Sequence, residues 1–317
     1  MDFSRYKTVE DIVSDIKKVK IQGATNVALA TFEGLKLYLK NYPSNADYEN
    51  FINDIEKTGE LLSKARPNEP LARNGVKFLL NMLKIRYPEI DTFEEARNKI
   101  EELADEYLGL IKASKDNIVR NSSEVLTPEI DQILTHCHSS TVERLIMSHK
   151  HTVDRLQVVC TETRPLFQGR ITAKNLLGEG VDTTLITDGA AASYITGKGS
   201  TDIDIVFIGC DQISMKGDCI NKIGSWSIAL ASYYASKPLY VVTSILKTDI
   251  STAYKKVEIE MRPGEEIWEE APKGLKLINP AFELVNRELI TGFITEIGVL
   301  KPSDIERAIQ KEYSWLF

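Results

Sequence analysis

The feature that most constrains this chain is a change of hydrophobic period near residue 125. Before it, apolar residues recur three and four apart, the spacing of one helical face. Val9, Ile12, Val13 and Ile16 follow that rule, as do Ala28, Phe32, Leu35 and Leu39, and then Val76, Leu79, Leu80 and Leu83. The longest stripe is Phe93, Ala96, Ile100, Leu103, Ala104, Tyr107 and Ile111, and it follows Thr92 with Glu95 three positions on. That pairing is the signature of a capping box at a helix start. Pro43, Pro67 and Pro88 fall where helices must stop. After residue 125, short apolar runs at 132–135, 157–160, 184–187, 203–208, 239–242 and 293–295 alternate with helical stretches. The pattern predicts an α/β chain with a helical domain over residues 1–125 and a parallel sheet, helices on both faces, over 126–317. In such sheets ligands bind beyond the carboxyl ends of the strands, where strand order switches. Chemistry is therefore expected at 136–140, 161–164, Asp188, 209–211 and 295–298.

Composition removes several classes. With 43% hydrophobic and 27% charged residues the chain reads as a soluble globular protein. A net charge of −7 opposes the long-range phosphate attraction on which nucleic-acid binders rely, so no nucleic-acid partner is expected. No apolar run approaches the ~18 residues that argue for a membrane span, so no membrane partner is expected. The N-terminal segment is charged and amphipathic, unlike a secretory signal, and a cytoplasmic location is expected. The four cysteines form no CxxC pair, which points to free thiols and away from a zinc ribbon or a redox dithiol.

The strand ends carry the candidate chemistry. His136 and His138 flank Cys137 but lack further ligands at a metal spacing, so no metal is expected. Ser139 and Ser140 open the next helix, whose amides can hold an anion, and a thiol at a helix N-terminus has its thiolate favoured. A buried strand-end cysteine with capping serines fits the local sequence equally well. Arg164, before Pro165, suits phosphate binding or a salt bridge with Glu162. Asp211 follows an apolar run and can serve as a general acid or base, or as a helix cap. Asn221 and Lys222 precede Gly224 and Ser225 at a helix start, an arrangement suited to a phosphate or a sugar. Cys160, Cys210 and Cys219 read as structural. In the helical half, two loops could meet a phosphate, one with Gly23 and Ala24 and one with Arg66. Neither a P-loop nor a dinucleotide fingerprint is present.

Four motifs in order, THCHSS at 135–140, TETRPLFQGR at 161–170, GCDQI…GDCINKIG at 209–224 and INPAF…ITEIG at 278–298, resemble those of the aldose-1-phosphate isomerases related to the regulatory subunits of eukaryotic initiation factor two B. The resemblance covers essentially the whole chain and implies a Rossmann-like catalytic domain behind the helical one. It implies Cys137 and Asp211 as the catalytic pair, where the initiation-factor subunits lack both. It implies Gly23, Ala24, Arg66, Ser139, Arg164, Asn221 and Lys222 as holders of a phosphorylated sugar, with neither metal nor redox cofactor. The THCHSS form is more similar to ribose-1,5-bisphosphate isomerases than to 5-methylthioribose-1-phosphate isomerases, which usually carry Asn-Ala-Gly after the THC. The expected reaction is conversion of ribose 1,5-bisphosphate to ribulose 1,5-bisphosphate. Methylthioribose-1-phosphate isomerisation and a non-catalytic, nucleotide-binding regulator are the alternatives. Asp211 would protonate the ring oxygen and Cys137, as thiolate, would take the C2 proton, with a swap of roles left open. The resemblance further implies AMP as an activator and a homodimer or a hexamer of dimers. Gln22 stands where the family normally has Arg before Gly-Ala, so a phosphate contact there is weakened or supplied elsewhere.

Overall fold

A computed structural model describes residues 3–43 and 47–317. The chain divides into two compact units. One comprises residues 1–113, 246–250 and 307–317, and the other 114–245 and 251–306.

The first unit is helical: α1 (Val9–Lys17), α2 (Ala24–Asn41), α3 (Tyr48–Ser63), α4 (Pro70–Arg86) and the start of α5 (Phe93–Asn121). The apolar stripes read from the sequence are its core, with Ile12, Ile16, Phe32, Leu35, Leu79 and Tyr107 all buried. At the start of α5 the two residues of the expected capping box meet through their side chains instead, the Thr92 hydroxyl donating to the Glu95 carboxylate at 2.9 Å. Two distant segments complete this unit. Asn74 donates to the carbonyls of Leu246 and Thr248 at 2.7 and 2.9 Å, and Arg73 pairs with Asp249 at 2.9 Å. Trp315 stands edge-on to Phe78 with ring centroids 5.0 Å apart, and its carbonyl accepts from Asn81 at 2.8 Å.

The second unit is built on β1 (Gln132–His136), α6 (Ser140–His149), β2 (Gln157–Thr161), α7 (Gln168–Gly178), β3 (Asp182–Ile186), α8 (Ala191–Ile195), β4 (Ile205–Ile208), β5 (Gln212–Ser214), β6 (Cys219–Lys222), α9 (Ser225–Tyr234) and β7 (Leu239–Val242). After β8 (Thr248–Asp249), which counts with the first unit, come β9 (Met261–Arg262), β10 (Asn279–Pro280), β11 (Phe282–Val285), β12 (Gly292–Thr295), β13 (Gly298–Leu300) and α10 (Ile305–Glu312). Seven strands form one sheet in the order β13-β12-β7-β4-β1-β2-β3. All its pairings are parallel except β12 with β13. The expected parallel sheet is thus present, with β13 added as an antiparallel edge, and β4 is buried along its whole length, as a central parallel strand should be. The chain runs outward from β1 to β3 and then returns to the other side of β1 as β4. The β1/β4 junction is therefore the switch point at which a ligand site is expected.

Periodicity did not signal a second, antiparallel layer made of β5, β6 and β11. It turns Asn221 and Lys222 into strand residues paired with Glu283 and Phe282.

Candidate active site

β1 ends at His136, and the next residue, Cys137, takes a left-handed φ of 67°. That conformation is costly for a residue with a Cβ and persists only when its surroundings impose it. Here they do. The Cys137 amide donates to the Thr163 hydroxyl at 2.9 Å, and its carbonyl accepts from the Thr172 hydroxyl at 3.0 Å. Ser139 is the N-cap of α6, its hydroxyl accepting from the Val142 amide, so the serines open the helix as their sequence suggests.

Asp211 lies at the end of the neighbouring strand, half-buried, with its amide donating to the Ile220 carbonyl at 2.9 Å. Gly209 lets the two strand ends approach, since a Cβ there would stand 3.0 Å from that of Ser139. On the second layer, the Asn221 amide donates to the Ser225 hydroxyl at 2.9 Å, and Lys222 is buried with its ammonium 4.7 Å from the Phe282 ring centre.

The charges around Cys137 oppose one another. Burial pushes its thiol up to about 11; Lys222 pulls the other way, Asp211 raises it, the His138 amide lowers it and Asp188 raises it. Burial is the largest of these effects, so the thiol lies above its ordinary range.

The remaining candidates are distributed as follows. The Arg164 backbone amide and that of Thr163 both donate to the Asp188 carboxylate at 2.7 Å. The Arg164 guanidinium is exposed, donates to the Ile267 carbonyl at 2.8 Å and sits 5.1 Å from the Phe167 ring centre. Glu162, the salt-bridge partner considered for Arg164, pairs with Arg170 at 3.0 Å. The α9 N-terminus, expected to receive an anion from outside, is filled by the chain itself: Glu283 accepts from the Gly224 and Trp226 amides at 2.6 and 2.9 Å. Gly23 is the N-cap of α2 and Ala24 its first residue. Arg66 is buried and paired with Glu69 at 3.2 Å. These last three belong to the helical unit. The second unit brings together Cys137, Ser139, Asp211, Asn221 and Lys222.

Sequence reasoning assigned no role to His136, Thr163 or Asp188, although all three fall at the strand ends it singled out. It missed Glu283, whose only signal is an acidic residue four positions after Asn279-Pro280.

The pattern of the Initiation factor 2 subunit family matches residues 20–302. Over 316 residues the chain is 32% identical to the ribose 1,5-bisphosphate isomerase of Methanocaldococcus jannaschii, covering 99% of this chain and 98% of that one. It is 31% identical over 310 residues to a methylthioribose-1-phosphate isomerase from Pelotomaculum thermopropionicum, covering 92% and 82%. The crystal structure of 5-methylthioribose 1-phosphate isomerase from Pyrococcus horikoshii superposes with a TM-score of 0.75 at 26% identity, over 98% of this chain and 88% of that one. The translation initiation factor eIF-2B of the same organism shares the fold at a TM-score of 0.77 and 23% identity, over 93% and 97%. By a match that takes in most of its length, the chain belongs to the Initiation factor 2 subunit family.

Proposed function

We propose that this chain is an aldose–ketose isomerase that converts ribose 1,5-bisphosphate to ribulose 1,5-bisphosphate, with Cys137 and Asp211 as its acid–base pair. The observation that carries the reading is the meeting of a strand-end thiol, a carboxylate and a buried lysine at the switch point of the sheet. The full-length similarity to ribose 1,5-bisphosphate isomerase supports the substrate.

In an aldose 1-phosphate the anomeric oxygen is esterified, so the ring cannot open as a free sugar does. An acid must protonate the ring oxygen as its bond to C1 breaks, and a base must remove the proton on C2. Burial raises the Cys137 thiol, which suits it to the first task and favours the swap of roles that the sequence left open. The Asp211 carboxylate then takes the C2 proton, leaving a C1–C2 enol phosphate. Returning that proton to C1, while the C2 hydroxyl gives its own proton back to the sulfur, yields the 2-ketose and restores both groups. Lys222 would stabilise the thiolate and the enol oxygen in the interval. Ser139, Asn221 and Arg164 are proposed to hold the phosphorylated sugar.

Purified protein would be incubated with ribose 1,5-bisphosphate, with and without AMP, and separately with methylthioribose 1-phosphate, and ketose formation followed by NMR. Turnover of the bisphosphate is expected. Turnover of methylthioribose 1-phosphate alone would favour the second reading, which rests on relatives of nearly equal identity. Turnover of neither would leave a non-catalytic regulator. Cys137→Ser and Asp211→Asn are each expected to cost about a hundredfold or more in kcat with folding intact.

We further propose a cytoplasmic homo-oligomer. The cysteines are free, as in a reducing compartment, and α9 has no charged residue while exposing Trp226, Leu230, Tyr233 and Tyr234 along one stripe. Sedimentation as a monomer at micromolar concentration would refute the association.

A further inference from the structure

The imidazole of His136 is fully buried and hydrogen-bonded at both nitrogens, and both routes from it end on the site. Nε2 lies 2.9 Å from the Ile223 carbonyl, which can only accept, so Nε2 carries the proton. Nδ1 is then bare and accepts from the Thr161 hydroxyl at 2.6 Å. The Thr163 hydroxyl lies 3.5 Å from that of Thr161 and 3.4 Å from its carbonyl, so its proton turns toward Thr161 in either case. Its lone pair is left for the Cys137 amide at 2.9 Å. The hydrogen bonds therefore run in one direction, from Cys137 through Thr163, Thr161 and His136 to Ile223. Ile223 is the residue after Lys222, and the turn rests directly on the ring: a Cβ on Gly224, whose φ is 106°, would stand 2.8 Å from His136 Cε1.

We propose that His136 is a positioning residue that sets the distance between the Cys137 thiol and the Asn221–Lys222 pair by fixing the backbone at both ends. A buried histidine in a core commonly satisfies its nitrogens without serving a site. What separates this one is where the chain ends: at one end a strained amide beside the proposed acid, at the other the turn that carries the proposed enol-stabilising ammonium. The clamp rests on the hydrogen bonds and its effect on kcat rests on the isomerase reading, so the test includes one measurement that needs no catalysis.

Thr161→Val removes the hydroxyl that donates to His136, whereas Thr161→Ser keeps it. Thr163→Val and Thr163→Ser do the same one step nearer Cys137, and His136→Gln removes the ring. Alkylation of Cys137 by iodoacetamide, located by peptide mass because the other three cysteines are buried, would be followed against pH, together with kcat, KM and melting temperature. Loosening the turn hydrates the sulfur, so both valine variants are expected to alkylate severalfold faster at pH 8 with a lower midpoint. They are also expected to lose about tenfold to a hundredfold in kcat, more than they change KM. The serine variants should stay within about threefold of the parent on every measure. The effects of His136→Gln and Thr163→Val should fall short of additive, since each breaks the same chain. Should His136→Gln not fold, the threonine pairs decide alone. Valine variants that melt earlier but keep the parent's alkylation profile and kcat would overturn the proposal. A parent protein that turns over neither sugar, with alkylation responding as described, would support the clamp and refute only the isomerase reading.

Discussion

At the residue scale, Cys137 shows how burial and charge compete within one side chain. A helix N-terminus and Lys222 favour the thiolate, yet desolvation prevails and holds the thiol at about 11. The alkylation rate of the unliganded protein is therefore expected to rise with pH toward a midpoint near 11, not near the ordinary 9.0. Stability carries the same sign. The folded value lies above the unfolded one, so the contribution of this thiol is complete below pH 9 and is lost as pH rises from 9 to about 11. In Cys137→Ser that alkaline loss should shrink, as read by urea denaturation at pH 8, 9 and 10. Sequence identified the cysteine but had no access to this balance, because desolvation depends on what the fold stacks over the sulfur.

At the scale of elements, periodicity served best where an element buries one face. The stripes of α2, α4 and α5, and the all-apolar β4, were legible because their burial matches their period. The layer of β5, β6 and β11 was not, because strands of three or four residues leave too little pattern to read. That omission changed the meaning of α9. From sequence its N-terminus looked open to an anion; β11 places Glu283 there, and its carboxylate holds the Gly224 and Trp226 amides. Glu283→Gln keeps the shape but removes the charge that faces the helix N-terminus. It is expected to cost about 1–2 kcal/mol in urea denaturation. Because Glu283 on β11 pairs with Asn221 on β6, the same variant should raise the KM for substrate.

At the scale of the whole molecule, neither unit is one continuous stretch of chain. The helical unit draws in residues 246–250 and 307–317, the latter placing Trp315 against Phe78 and Tyr107. Trp315→Ala is expected to destabilise the helical unit by about 2–4 kcal/mol, seen as earlier unfolding in denaturant and faster proteolysis within α4. A change near the end of the chain would thus be felt some 230 residues earlier, and the spacing of apolar residues carries no signal of it.

What the sequence by itself determined is the kind of elements, their order and the strand ends at which chemistry belongs. Those follow from local periodicity and from side-chain types at fixed spacings, and the ordered motifs add the family. What only the tertiary structure decided is which strand ends meet, the left-handed turn at Cys137, the burial that raises its thiol, the filling of the α9 terminus by Glu283 and the run of hydrogen bonds through His136. Each of these depends on residues far apart in the chain, brought together by strand order and by the need to satisfy every buried polar group.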